Sequence, residues 1–99
     1  MTQVVELLQY LLEERGSDLL VKVGSPPCLR RNGKLERTTM EPLGPEEIEA
    51  LAAELLTPVK AAEFQATGET DLAHSVPGLG RFRVNVYRQR GSVSLAIRR

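Results

Sequence analysis

Six arginines lie between Arg81 and Arg99, and no Asp or Glu lies among them. Arginine's planar, permanently charged fork matches the oxygens of phosphates and carboxylates, so the chemistry open to this stretch is anion contact. The rest of the chain has the opposite balance. Residues 1–71 hold seven Lys/Arg against thirteen Asp/Glu, while residues 72–99 hold six Arg and no acid, so a net charge of zero hides a −6/+6 split. Such a split fits a surface facing an anion or an acidic partner, and it also fits solvated strand faces. Charge alone leaves both readings open.

Other chemistries find little support. Gly33-Lys34 is the only Gly-Lys pair; Leu35 follows it and no glycine stands five residues before Gly33, so there is no P-loop. Gly78-Leu79-Gly80 runs on to Arg83 where a dinucleotide fingerprint needs a third glycine. His74 is the sole histidine and Cys28 the sole cysteine, which leaves neither a metal cluster nor an activated nucleophile. Asp18 and Asp71 each stand where a strand is expected to begin, and we read them as turn-capping carboxylates. The chain by itself shows no catalytic apparatus.

These residues need a scaffold. At 99 residues, with 41% hydrophobic and 26% charged side chains, the chain suits one soluble domain. A single cysteine excludes an internal disulfide. No apolar run nears the roughly 18 residues of a membrane span, and the start lacks a secretory signal, so the expected location is cytoplasmic. Val4, Val5, Leu8, Leu11 and Leu12 recur at helical spacing, with Thr2 as the expected N-cap and Gly16 as the stop. A strand follows from Ser17-Asp18 through Val23 and breaks at Gly24-Ser25-Pro26-Pro27. Cys28–Arg31 and Lys34–Arg37 flank Asn32-Gly33, a strong hairpin signal. Gly44-Pro45-Glu46-Glu47 opens a second helix with Ile48, Leu51, Ala52 and Leu55 on its core stripe. Thr57-Pro58 caps a short third helix through Phe64 that Gly68 ends, and a strand follows over residues 70–76. The expected architecture is α+β: a mainly antiparallel sheet of about six strands with helices on one face.

The closing hairpin can be placed in register. Phe82, Val84 and Val86 must share a face with Val93, Leu95 and Ile97, and a two-residue turn at Arg90-Gly91 achieves this. It pairs Gln89 with Ser92, Val86 with Leu95 and Val84 with Ile97. The other face then carries Arg83 directly opposite Arg98, with Arg81 one step along. Like charges in cross-strand positions are destabilising. Solvent, a carboxylate from elsewhere in the chain, or a bound anion has to compensate.

Two stretches bear a resemblance. "GSDLLVKVGSPPCLRRNGKLE" resembles the opening signature of the PilT-like type IV pilus retraction ATPases, matching it at Ser17, Asp18, Leu19, Gly24, Pro26, Pro27, Arg30, Gly33 and Leu35. "FQATGETDLAHSVPGLGRFRVNVYRQRGSVSLAIRR" is similar to that family's second signature along nearly its whole length. One position departs: the histidine usual after Asp-Leu is Leu20 here, which makes that face more apolar and better suited to packing on another domain.

The resemblance implies that residues 1–99 are a PAS-like N-terminal domain, with a RecA-like ATPase domain expected beyond Arg99. It implies a homo-hexameric motor hydrolysing ATP with Mg2+, both bound mainly by that second domain and neither by this one alone. It further implies packing of this domain on the ATPase domain of a neighbouring subunit, a pilus-base platform protein in the inner membrane as partner, and arginines directed at the nucleotide. Arg83 is the first expectation for that contact, Arg98 the second and Arg81 the third. A pilus-assembly or type II secretion ATPase is the near alternative, and the short leader before "GSDL" favours the retraction type. A nucleic-acid-binding module would need stacking aromatics beside the arginines, and only Tyr87 shares their face. No nucleic-acid partner is expected.

Overall fold

A computed structural model describes residues 2–99. The elements run α1 (Val4–Glu13), β1 (Asp18–Val21), β2 (Cys28–Arg31), β3 (Lys34–Arg37), α2 (Pro45–Leu55), α3 (Pro58–Thr67), β4 (Glu69–Val76), β5 (Gly80–Gln89) and β6 (Ser92–Arg98). All six strands join one sheet in the order β3-β2-β1-β6-β5-β4, and every pairing is antiparallel. The first and last strands therefore lie side by side in the middle of the sheet. The expected α+β architecture is what the chain adopts.

Local chemistry accounts for most of the boundaries. Asn32 and Gly33 both take positive φ (52° and 78°), as do Arg90 and Gly91 (55° and 80°), so both hairpins turn in the hand that matches strand twist. The closing hairpin has the register read from its sequence: Gln89 faces Ser92, Val86 faces Leu95, Val84 faces Ile97 and Arg83 faces Arg98. Thr57 caps α3 through its hydroxyl, which accepts from the Lys60 amide at 3.2 Å, and Gly68 ends that helix in the left-handed region at φ 81°. The helix runs three residues past Phe64.

Three local expectations are corrected. The N-cap of α1 is Gln3 rather than Thr2: the Gln3 amide donates to Glu6 Oε1 at 3.1 Å, while the Thr2 amide reaches Glu47 Oε2 on α2 at 2.9 Å. Gly16 does not take the left-handed conformation after α1; Arg15 does, at φ 56°. A Cβ on Gly16 would stand 2.3 Å from Leu29 Cδ1 and 2.9 Å from Leu29 Cγ, so this glycine serves close packing of the chain on β2. Val23 lies beyond β1, in an isolated parallel bridge with Leu43.

The core sits between the helices and one sheet face. Leu7, Leu8 and Leu11 of α1 and Ile48, Leu51, Ala52 and Leu55 of α2 meet Leu19, Val21, Leu29, Phe82, Val84, Val86, Leu95 and Ile97 of the strands, with Phe64 of α3 closing one end. All helices thus cover a single face. The alternate residues of every strand point to the other one.

Candidate functional site: the uncovered sheet face

Strand register lays out the uncovered face as a grid. One row crosses all six strands as Leu35, Arg30, Asp18, Arg98, Arg83 and Ala73. The next row reads Arg37, Cys28, Leu20, Ala96, Asn85 and Asp71. Beyond it Ser94, Tyr87 and Glu69 align, and on the far side of the arginine row Arg81 faces Ser75. The three arginines singled out from sequence do share this face.

They are not equivalent. Arg98 Nε donates to Asp18 Oδ1 at 3.1 Å, and Arg30 Nε stands 3.7 Å from Asp18 Oδ2. The Ser17 hydroxyl donates to Asp18 Oδ2 at 2.7 Å. Asp18 is 16% exposed and Arg98 72% exposed, so the pair has one sheltered and one solvated partner. Arg83 and Arg81 are exposed and make no ion pair among the described residues. The carboxylate that offsets the like-charge pair is therefore Asp18, reached from β1, and it acts on one arginine of the pair only.

This corrects the reading of both aspartates as turn caps. Asp71 lies inside β4 and accepts from Asn85 Nδ2 across the strand at 3.0 Å, an amide that also reaches Glu69 Oε1 at 3.2 Å. A cavity of about 360 Å³ opens between Asp18, Asp71, Arg83, Asn85, Ala96 and Arg98. On its outer side Arg81 and Arg83 share a second recess with Lys60 of α3 and with Asp71, which lines both.

The covered side treats arginine differently. Arg31 sets Nη2 2.8 Å from Glu36 Oε1 and Nη1 3.3 Å from Glu14 Oε1, and these carboxylates, Glu36 first, raise its pKa above the ordinary guanidinium value. Arg88 lies 4.8 Å over the Phe64 ring. His74 is half-buried on edge strand β4 opposite Phe82, and no group of three metal-ligating side chains occurs among the described residues. No helix there is long and apolar enough to cross a membrane.

Sequence reasoning missed Arg30, Leu35 and Arg37 on this face. The parity of the Asn32-Gly33 hairpin carried that information, since it sets Arg30 opposite Leu35 and Cys28 opposite Arg37. Leu20, at the departing position, lies between Cys28 and Ala96 and is half-buried. The face offers a few unpaired guanidiniums and a small apolar patch. Its described residues are strand side chains, so what it can contribute to a phosphate is a side-chain contact.

No family model matches the chain. It is 34% identical over 94 residues to the type IV pilus ATPase PilU of Pseudomonas aeruginosa, which covers 95% of this chain. It is 34% identical over 86 residues to the type IV pilus retraction ATPase PilT of the same organism, covering 87%. The chain spans about a quarter of the length of these curated relatives. The solved structure of the pilus retraction motor PilT with bound ADP superposes over all of this chain and 29% of its own, with a TM-score of 0.92 at 31% identity. The Legionella pneumophila ATPase DotB shares the fold, with a TM-score of 0.77 over 95% of this chain and 27% of its own at 20% identity. Near-complete coverage by two pilus ATPases and by a PilT structure makes this chain an N-terminal domain of the type II/IV secretion ATPase family, of the PilT and PilU kind.

Proposed function

We propose that this domain works within a homo-hexameric pilus-retraction motor, packing its uncovered sheet face on the ATPase domain of a neighbouring subunit and presenting Arg83 to the nucleotide there. ATP and Mg2+ are held mainly by that ATPase domain, and the motor acts in the cytoplasm on a pilus-base platform protein of the inner membrane. Arg83 makes the phosphate contact, and Arg81 and Arg98 flank it as supporting charge. A guanidinium at the γ-phosphate stabilises the charge that spreads over the transferred group, and it registers whether that group is present. Loss of the phosphate on hydrolysis releases the contact and lets this domain rotate as a rigid body against its neighbour. Passed round the ring, that rotation drives pilus disassembly.

The observation that supports this reading is the exposed Arg83, without an ion pair among the described residues, on a sheet face that no helix covers. Its neighbour Arg98 is engaged by Asp18, so Arg83 carries charge that is free for an external anion. The retraction class is favoured because one of the two curated relatives is a retraction ATPase. The test is Arg83→Ala in the full-length protein. ATP turnover should fall about a hundredfold or more while the ring still assembles. Unchanged turnover would remove Arg83 from the nucleotide site.

A further inference from the structure

We propose that Asp18 sets the anion specificity of the uncovered face: by engaging Arg98 it leaves Arg83 as the arginine that a phosphate group occupies. The inference rests on the reading of Arg83 as a phosphate contact and adds a positioning residue to it.

Three observations carry it. Arg83 and Arg98 stand directly opposite each other on paired strands, where two guanidiniums repel and would share any anion placed between them. Asp18 stands on the far side of Arg98, opposite it on β1, and takes its Nε at 3.1 Å. Asp18 is itself fixed, being 16% exposed, bonded to the Ser17 hydroxyl at 2.7 Å and flanked by Arg30 at 3.7 Å. A carboxylate held in this way does two things. It turns Arg98 towards β1 and away from Arg83, and its negative charge penalises an anion that approaches from the Arg98 side. The cavity's other carboxylate, Asp71, is occupied by the Asn85 amide and borders Arg83 from β4. A phosphate oxygen is thereby steered to the outer side of Arg83, where Arg81 and Lys60, the latter 3.5 Å from Glu63, line the adjoining recess; Asp71 borders both recesses, so the asymmetry between them comes from Asp18. The face is tuned to a single monodentate or bidentate contact on Arg83, not to a two-arginine clamp.

The test titrates inorganic phosphate into the 99-residue chain and follows the arginine Nε–H resonances by NMR. In the native sequence phosphate should shift the Arg83 signal and leave the Arg98 signal in place. Asp18→Asn keeps the side chain's size and removes its charge. In that variant both signals should move, and the apparent affinity should tighten about twofold at low ionic strength, the effect of deleting one unit charge two strand spacings (about 10 Å) away in a water-like dielectric. A purely structural role for Asp18 would weaken binding or leave it unchanged. The proposal is overturned by an Arg98 signal that follows phosphate as closely as Arg83 in the native chain, by a response at neither arginine, or by an unchanged affinity in Asp18→Asn. The native-sequence arm stands even if the variant fails to fold. Failure here is separable from failure of the nucleotide role, which is read from turnover of Arg83→Ala in the full-length protein.

Discussion

The two faces of one sheet follow opposite rules. On the covered face, Phe82, Val84, Val86, Leu95 and Ile97 are each no more than 1% exposed and pack on leucines and an isoleucine from α1 and α2. On the uncovered face the intervening residues of β5 and β6 include Arg81, Arg83, Asn85, Tyr87 and Arg98, with a single carboxylate from β1 offsetting one arginine of the central pair. One face is organised to hold the domain together. The other keeps charge that the domain does not consume, and such a face makes sense when something outside the domain supplies the counter-charge.

The contrast is sharpest between adjacent residues. Phe82→Ala should cost about 3–5 kcal/mol, through lost burial and the cavity left behind, and would be read as a large fall in the denaturant midpoint. Gly16→Ala should cost about 1–3 kcal/mol, because its new methyl group must displace Leu29. Asp18→Asn breaks ion pairs whose arginines are largely solvated, and should cost no more than about 1 kcal/mol. Arg83→Ala should change stability by only about 0.5 kcal/mol, in the stabilising direction, since it removes a like charge opposite Arg98. If Arg83→Ala instead unfolded the chain as Phe82→Ala does, the division of labour between the faces would be lost.

Much of this division was legible in the sequence where the signal is local. The Asn32-Gly33 and Arg90-Gly91 turns fix their hairpins, and two-residue alternation then assigns each side chain a face, which is why Arg83 opposite Arg98 could be read before the structure. Ile48, Leu51, Ala52 and Leu55 announced the buried stripe of α2 in the same way. The Asp18–Arg98 pair lay beyond such reasoning. Its residues are 80 positions apart, and they meet only because β1 and β6 pair at the centre of the sheet, which no spacing encodes. Gly16 misled for a related reason: a glycine after a helix reads as a cap, whereas its role is set by Leu29 on a strand formed later in the chain. The departure at Leu20 was visible, but its placement between Cys28 and Ala96 required the strand order.

The measurement that bears most directly on the uncovered face is a pair of readings on Arg83→Ala: the denaturant midpoint of this chain and the ATP turnover of the full-length protein. The midpoint should barely move, and the turnover should fall about a hundredfold or more. A full-length protein that turns over ATP at its native rate without the Arg83 guanidinium would remove Arg83 from the nucleotide site.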